Sequence, residues 1–207
     1  MDQLLEKLFE SVPKVRIMRL FIQNGEALFS FLEVVERVQI PREIVRKELF
    51  KLLHLGIIKK RLVLPQQDQQ TGRHQSKKQP KKQEKYLLNI QFPLIEELKN
   101  LIIRATTTSR KSILSHFKKL GRVKLAVLSG IFLNTDRSRT DILVVGDDIN
   151  RKRFERFLAY IESELGKTVA YTIMDTDEFK YRMQMFDRFL RDILEYPHEK
   201  LINKLNI

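Results

Sequence analysis

The chain has no cysteine, which excludes disulfides and thiolate metal sites. Histidine is scarce as well. His54, His74, His116 and His198 are scattered, with none of the close spacings from which metal sites are built. Acidic residues are the minority charge, 26 against 39 lysines and arginines. Long uncharged runs are also missing. The longest, Leu125 to Thr135, is about half of the ~20 residues that a spanning helix needs. The N-terminal MDQLLEKLFESV interleaves acids with apolar residues and has no signal-peptide layout. These absences lead to the expectation of a soluble, cytoplasmic protein, with no membrane contact and no metal or other cofactor.

What is present is apolar surface and positive charge. At 207 residues and 43% hydrophobic, the chain can build one large core or two small ones. A formal charge of +13 and an isoelectric point near 9.9 call for an acidic partner. Nucleic acid is the commonest such partner, and an anionic membrane surface is the alternative.

The clearest break in composition is Pro65 to Glu84, PQQDQQTGRHQSKKQPKKQE. With almost nothing to bury, this stretch is expected to be a basic loop. Before it the periodicity is helical. VPKVRIMRLFIQN puts Val15, Met18, Phe21 and Ile22 on one stripe and stops at Asn24-Gly25. A strand-like Ala27 to Phe29 leads into a second helix, with Leu32, Val35 and Val38 expected inward. A third helix, Pro41 to His54, buries Val45, Leu49, Leu52 and Leu53, with proline in its first turn and Gly56 as its C-terminal cap. Two strand-like runs follow, Ile57 to Leu64 and Lys85 to Ile90, with the basic loop between them. Phe92 to Arg104 reads as a connecting helix on Leu94, Leu98, Leu101 and Ile102, and 105–111 as a hinge.

The remaining residues alternate between strand and helix, which argues for an α/β unit. Val123 to Leu128, Ile142 to Val145 and Thr168 to Met174 are the strand-like runs. The helix from Asn150 to Leu165 buries Phe154, Phe157, Leu158, Ile161 and Leu165, and ends at Gly166. Asp175-x-x-Glu178 resembles a capping box. It opens one final amphipathic helix carrying Phe179, Met183, Phe186, Phe189, Leu190 and Ile193. The expected domains are 1–91, a connecting helix and hinge over 92–111, and 112–207.

Three short helices and a hairpin form an order with a use. One face of the third helix must stay in the core while its outward residues reach base edges in a major groove. Arg42, Glu43, Arg46 and Lys47 point away from the Val45/Leu49/Leu52 stripe, whereas Ile44 and Phe50 are expected to pack against neighbouring elements. Lys51, Lys59, Lys60 and Arg61 extend the positive surface towards the hairpin. The hairpin and its loop add Arg73, Lys77, Lys78, Lys81, Lys82 and Lys85. From Ile57 to Ile90, nine basic residues face two acidic ones, which accounts for +7 of the total charge. Such charge suits phosphates or a minor groove.

The run VRIMRLFIQNGEALFSFLEVVERVQIPREIVRKELFKLLHLGIIKKR resembles the winged helix-turn-helix of prokaryotic transcriptional regulators, with RKELFKLLHLGIIKKR carrying most of the match. The resemblance spans roughly 11–90. It implies double-stranded DNA as partner, a recognition helix in the third position and a basic wing.

LSGIFLNTDRSRTDILVVGDDIN is similar to the minimal nucleotidyltransferase superfamily, whose pattern is a Gly-Ser turn followed by a D-x-D strand ending in V-G-D. The strand ILVVGD sets the register, so Asp141 falls on the second acid and Arg139 on the first. Ser129-Gly130 is the Gly-Ser pair inverted. Nucleotidyl transfer holds two divalent ions between paired carboxylates. Arg139 therefore puts a positive charge where a cation should sit, and TVAYTI offers no third acid.

The fold expected is a two-domain α+β and α/β chain, a winged helix followed by a nucleotidyltransferase-like mixed sheet with helices. Its expected role is DNA-binding transcriptional regulation, with a degenerate second domain for sensing or dimerisation and no enzymatic activity. A second copy of the chain and a small-molecule or nucleotide effector are the further partners. Two other roles stay open: a metal-dependent nucleotidyltransferase using Asp141 with Asp147 or Asp148, and an antitoxin or adaptor bound to a protein.

Overall fold

A computed structural model describes residues 4–64, 82–105, 110–133, 135 and 138–207. The fold is mixed α and β, with helices and two small sheets. The chain divides into two compact units, residues 3–104 and 105–207.

The first unit opens with α1 (Leu4–Leu8) and α2 (Val12–Gln23). Ser11 caps α2 by accepting the Lys14 amide at 3.2 Å, and Pro13 sits in the first turn, where no amide donor is needed. Val15, Met18, Phe21 and Ile22 are buried as their spacing predicts, joined by Ile17 and Leu20. Arg19 is buried too, 3.2 Å from Glu6 of α1. Then come β1 (Phe29–Ser30) and α3 (Phe31–Val38). Ser30 and Glu33 exchange both bonds of a capping box, which also holds the Glu33 carboxyl below its usual range. The inward residues of α3 are Val34 and Val38, while Leu32 is exposed. At about 100° per residue Leu32 stands on the far side of the helix from Val34 and well away from Val38, so it cannot share their buried face.

Helix α4 (Arg42–His54) follows a tight turn in which Gln39 adopts φ 54°. Pro41 stands just outside α4 as its N-terminal flank. At the far end Gly56, at φ 79°, lets its own amide reach Leu53 O and the Ile57 amide reach Leu52 O, so the chain reverses into the hairpin. Strands β2 (Ile58–Val63) and β3 (Gln83–Leu88) pair antiparallel, Lys60 opposite Tyr86 and Arg61 opposite Lys85. With β1 they form a sheet in the order β1-β3-β2. Helix α5 (Ile95–Ala105) buries Ile95 and Ile102, whereas Leu94 and Leu101, expected inward, are exposed.

In the second unit α6 (Arg110–Phe117) was not foreseen from the sequence. Most of the expected hinge, residues 106–109, lies outside the described residues. Strands β4 (Arg122–Leu128) and β5 (Ile142–Asp147) pair antiparallel and flank a 3-10 turn at Gly130–Leu133. Helix α7 (Arg151–Leu165) then crosses over to β6 (Tyr171–Met174), which lies parallel to β5. Helices α8 (Thr176–Gln184) and α9 (Arg188–Glu195) lead to β7 (Glu199–Asn203), antiparallel to β4. The order is β6-β5-β4-β7.

Both faces of this sheet are covered. Ile142 and Val144 pack with Phe117 of α6 and Phe154, Phe157 and Ile161 of α7. Leu143 and Val145 pack on the other side with Phe179, Leu190 and Ile193 of α8 and α9. A strand covered twice reads as an unbroken apolar run, which is why ILVV does not alternate. The single final helix expected from the sequence is two. Asp187 accepts the Leu190 amide at 3.1 Å and starts α9, and Phe186 turns left-handed before it (φ 53°). Phe186 is thereby 82% exposed instead of lying in the buried stripe.

Candidate nucleic-acid interface

Burial of Val45, Leu49 and Leu52 fixes which residues of α4 face outward. Arg42, Glu43, Arg46, Lys47 and Lys51 are all exposed, as are Lys59, Lys60 and Arg61 on β2 and Lys82 before β3. Arg73, Lys77, Lys78 and Lys81 lie outside the described residues.

The cations differ in how they are held. The Arg46 guanidinium lies over the ring of Phe31, 5.5 Å from its centroid. Such stacking orients the side chain while leaving its N–H donors free. Lys51 is 2.7 Å from the mostly buried Glu48 carboxylate. Lys60 lies 3.0 Å from Glu84 and near the Tyr86 ring, and the Glu84 hydrogen bond pushes its pKa up. Lys59 donates to Gln91 Oε1 at 3.2 Å, and Lys85 is 3.9 Å from Glu33. The exposed pairs among these contribute ~0–1 kcal/mol each, so an anionic partner can displace them; the pair with the buried Glu48 is not one of them.

Two expectations for α4 fail. Ile44 and Phe50 do not pack against neighbours: they are 41% and 71% exposed. Helical geometry gives the reason. At about 100° per residue, the direction opposite the buried stripe falls between Phe50 and Lys47, with Glu43 and His54 on the same line. Arg42 and Arg46 stand to one flank of that line. The signal was in the spacing, but aromaticity alone suggested burial.

In the second unit, Ser129 follows β4 and Gly130 opens the turn beyond it at φ 54°. A β-carbon at Gly130 would collide with Oδ1 of Asp141. The Asp141 carboxylate accepts the Ile131 amide on Oδ1 and the Ala170 amide on Oδ2, both at 2.8 Å. Ser129 Oγ donates to Thr140 O at 2.5 Å. Arg139 pairs with Asp192 of α9 at 2.8 Å. The four residues of the motif therefore come together around one turn, but their polar atoms are spent on the protein. They do not fit a pair of divalent ions: one carboxylate braces two backbone amides, and the other acidic position holds a cation.

Asp147 and Asp148 do not join Asp141. They close β5 at its other end, roughly 20 Å away at about 3.3 Å per strand residue. Asp147 lies 2.8 Å from Lys124 and accepts from Thr176 Oγ1 at 2.7 Å, and Asp148 pairs with Arg122. A cavity of about 400 Å3 opens at that end, lined by Asp147, Asp148, Arg151, Ile173, Asp175 and Glu178 among others. These carboxylates are engaged, Asp147 and Asp148 as above, Glu178 with Arg182, and Asp175 on the Glu178 amide. Among the described residues no group of three or more His, Cys, Asp or Glu is arranged to hold a metal ion, and no helix is long and apolar enough to cross a membrane.

The chain matches no protein-family model, no curated protein and no solved structure. Its chemistry is therefore read from its own residues.

Two outcomes follow from the second unit. Asp141→Asn turns an NH2 towards one of the two amides and is expected to lower stability by about 1–3 kcal/mol in urea unfolding. Unchanged stability would remove its bracing role. The Asp147 carboxyl is held down to about 2, from an ordinary 3.8, by hydrogen bonds first from Lys124 and then from Thr176. That stabilisation is complete above pH 3.8 and is lost as the pH falls through 2. Wild type should accordingly lose more stability between about pH 4 and 2 than Asp147→Asn does, and parallel curves would contradict the assignment.

Proposed function

We propose that the chain is a DNA-binding transcriptional regulator, in which the first unit is a winged helix and α4 its recognition helix. One observation carries this: α4 buries one stripe, turns Glu43, Lys47, Arg42 and Arg46 outward, and runs through Gly56 into a hairpin bearing Lys59, Lys60 and Arg61. A helix fits a major groove about 12 Å wide, and adjacent cations neutralise the phosphates beside it. The basic segment between β2 and β3, of which residues 65–81 lie outside the described residues, would add contacts to the DNA backbone as the wing.

The second unit is proposed to be a nucleotidyltransferase-like domain without transferase chemistry. Its likeness to that superfamily is supported by the antiparallel β4–β5 pair, the α7 crossover and the parallel β6. The loss of chemistry is supported by the engagement of Asp141 and the Arg139–Asp192 pair. Its remaining roles would be pairing of two copies or sensing of an effector.

Selection from a random pool of double-stranded DNA at about 0.15 M salt tests the first unit, because purely electrostatic binding is much weakened there. An enriched motif is expected, and the absence of any enrichment would overturn the proposal. Arg42→Ala with Arg46→Ala should weaken the selected duplex by more than the ~1–3 kcal/mol of a single bidentate contact, and unchanged affinity would remove the recognition role of α4. Deleting residues 65–81, which leaves β2 and β3 whole, should weaken all duplexes alike and flatten the dependence of affinity on salt. A slope that ignored the deletion would exclude the loop from the phosphate contacts.

A further inference from the structure

The outward line of α4 has an aromatic side chain at its centre. Phe50 is 71% exposed, and three of the four residues nearest it on the helix surface, Arg46, Lys47 and His54, are exposed and polar or charged, the fourth being the half-buried Leu53. Single exposed apolar side chains are ordinary on protein surfaces. What distinguishes Phe50 is its position. It stands one turn beyond Arg46 and three residues beyond Lys47, facing the same way as the groups that would meet a polyanion.

Two kinds of partner could cover such a residue. A protein partner would need a contiguous apolar patch around it, since binding energy concentrates in clustered, desolvated anchors. No such patch surrounds Phe50 on α4: its i−4, i−3 and i+4 neighbours are Arg46, Lys47 and His54, and the one apolar neighbour, Leu53 at i+3, is itself partly buried. A duplex presents the converse arrangement: a polyanionic frame carrying isolated apolar groups on its floor. Those groups are the C5-methyls of thymine, the one apolar feature of the major-groove edge.

We infer that Phe50 is a specificity-determining residue of the first unit, making apolar contact with a thymine methyl group in the major groove. The inference rests on the DNA-binding role proposed above and names what the centre of α4 reads. Lys47 and Arg46, on either side of Phe50, supply charge to phosphates or purine edges. Glu43, one turn nearer the start of α4, can accept from a cytosine amino group.

The test uses the full chain and the duplex enriched by selection. Each thymine in that duplex is replaced in turn by deoxyuridine, which removes only the methyl group. With wild type, one replacement should weaken binding roughly fourfold, the value of one methyl withdrawn from apolar contact. With Phe50→Ala the same replacement should have no effect, while the rest of the profile stays unchanged. Phe50→Leu, which keeps an apolar side chain, should retain most of the deoxyuridine effect. The exposure of Phe50 leaves the core untouched, and a melting curve for each variant checks this. If the wild-type and Phe50→Ala profiles coincide on a duplex that both bind, the inference fails while the DNA-binding role stands. If no duplex is enriched at all, both fail together.

Discussion

Everything on the cationic side of the first unit depends on three side chains beneath α4: Val45, Leu49 and Leu52. All are buried, and each contributes about 1.5–3 kcal/mol by leaving water. No surface ion pair on this unit approaches that sum, so the helix cannot rotate to suit its charged residues. The outward set is a consequence of the inward one. Phe31 then finds the Arg46 guanidinium above its ring, and Glu48, at the margin of the buried stripe, finds Lys51.

The second unit is organised by a comparable constraint at a smaller scale. Asp141 sits where the chain leaves the 3-10 turn region and enters β5. Its carboxylate ties that turn, through Ile131, to the approach to β6, through Ala170. The absence of a side chain at Gly130 is what lets Oδ1 come so close. An acid that looks catalytic by its place in a strand is thus a brace by its hydrogen bonds. Arg139 reaches α9, where it pairs with Asp192.

The elements with strong local signals were legible. Ser11, Ser30 with Glu33, Asn150 and Asp175 each cap the helix that follows, and Gly56 and Gly166 follow helix ends in left-handed conformations. The buried run ILVV gave β5 directly. What failed was side-chain direction where two registers were nearly equal. In α3 and α5 neighbouring apolar residues compete for the inward position, and Val34 and Ile95 win over Leu32 and Leu94. The edge strand β7 and the short helix α6 carry too little periodicity to stand out. Phe186 and Phe50 were misassigned for one shared reason: composition says that aromatics tend to be buried, but not which ones are.

By itself the sequence determined most of the helical and strand segments and the basic character of the region from Arg42 to Lys85. Those follow from local spacing, capping and charge, which need no partner from elsewhere in the chain. Tertiary structure alone decided that Arg46 rests on Phe31 and that Asp141 spends both oxygens on backbone amides 10 and 29 residues away. Each of these depends on a group brought near by folding, and proximity of that kind has no signature in the order of residues.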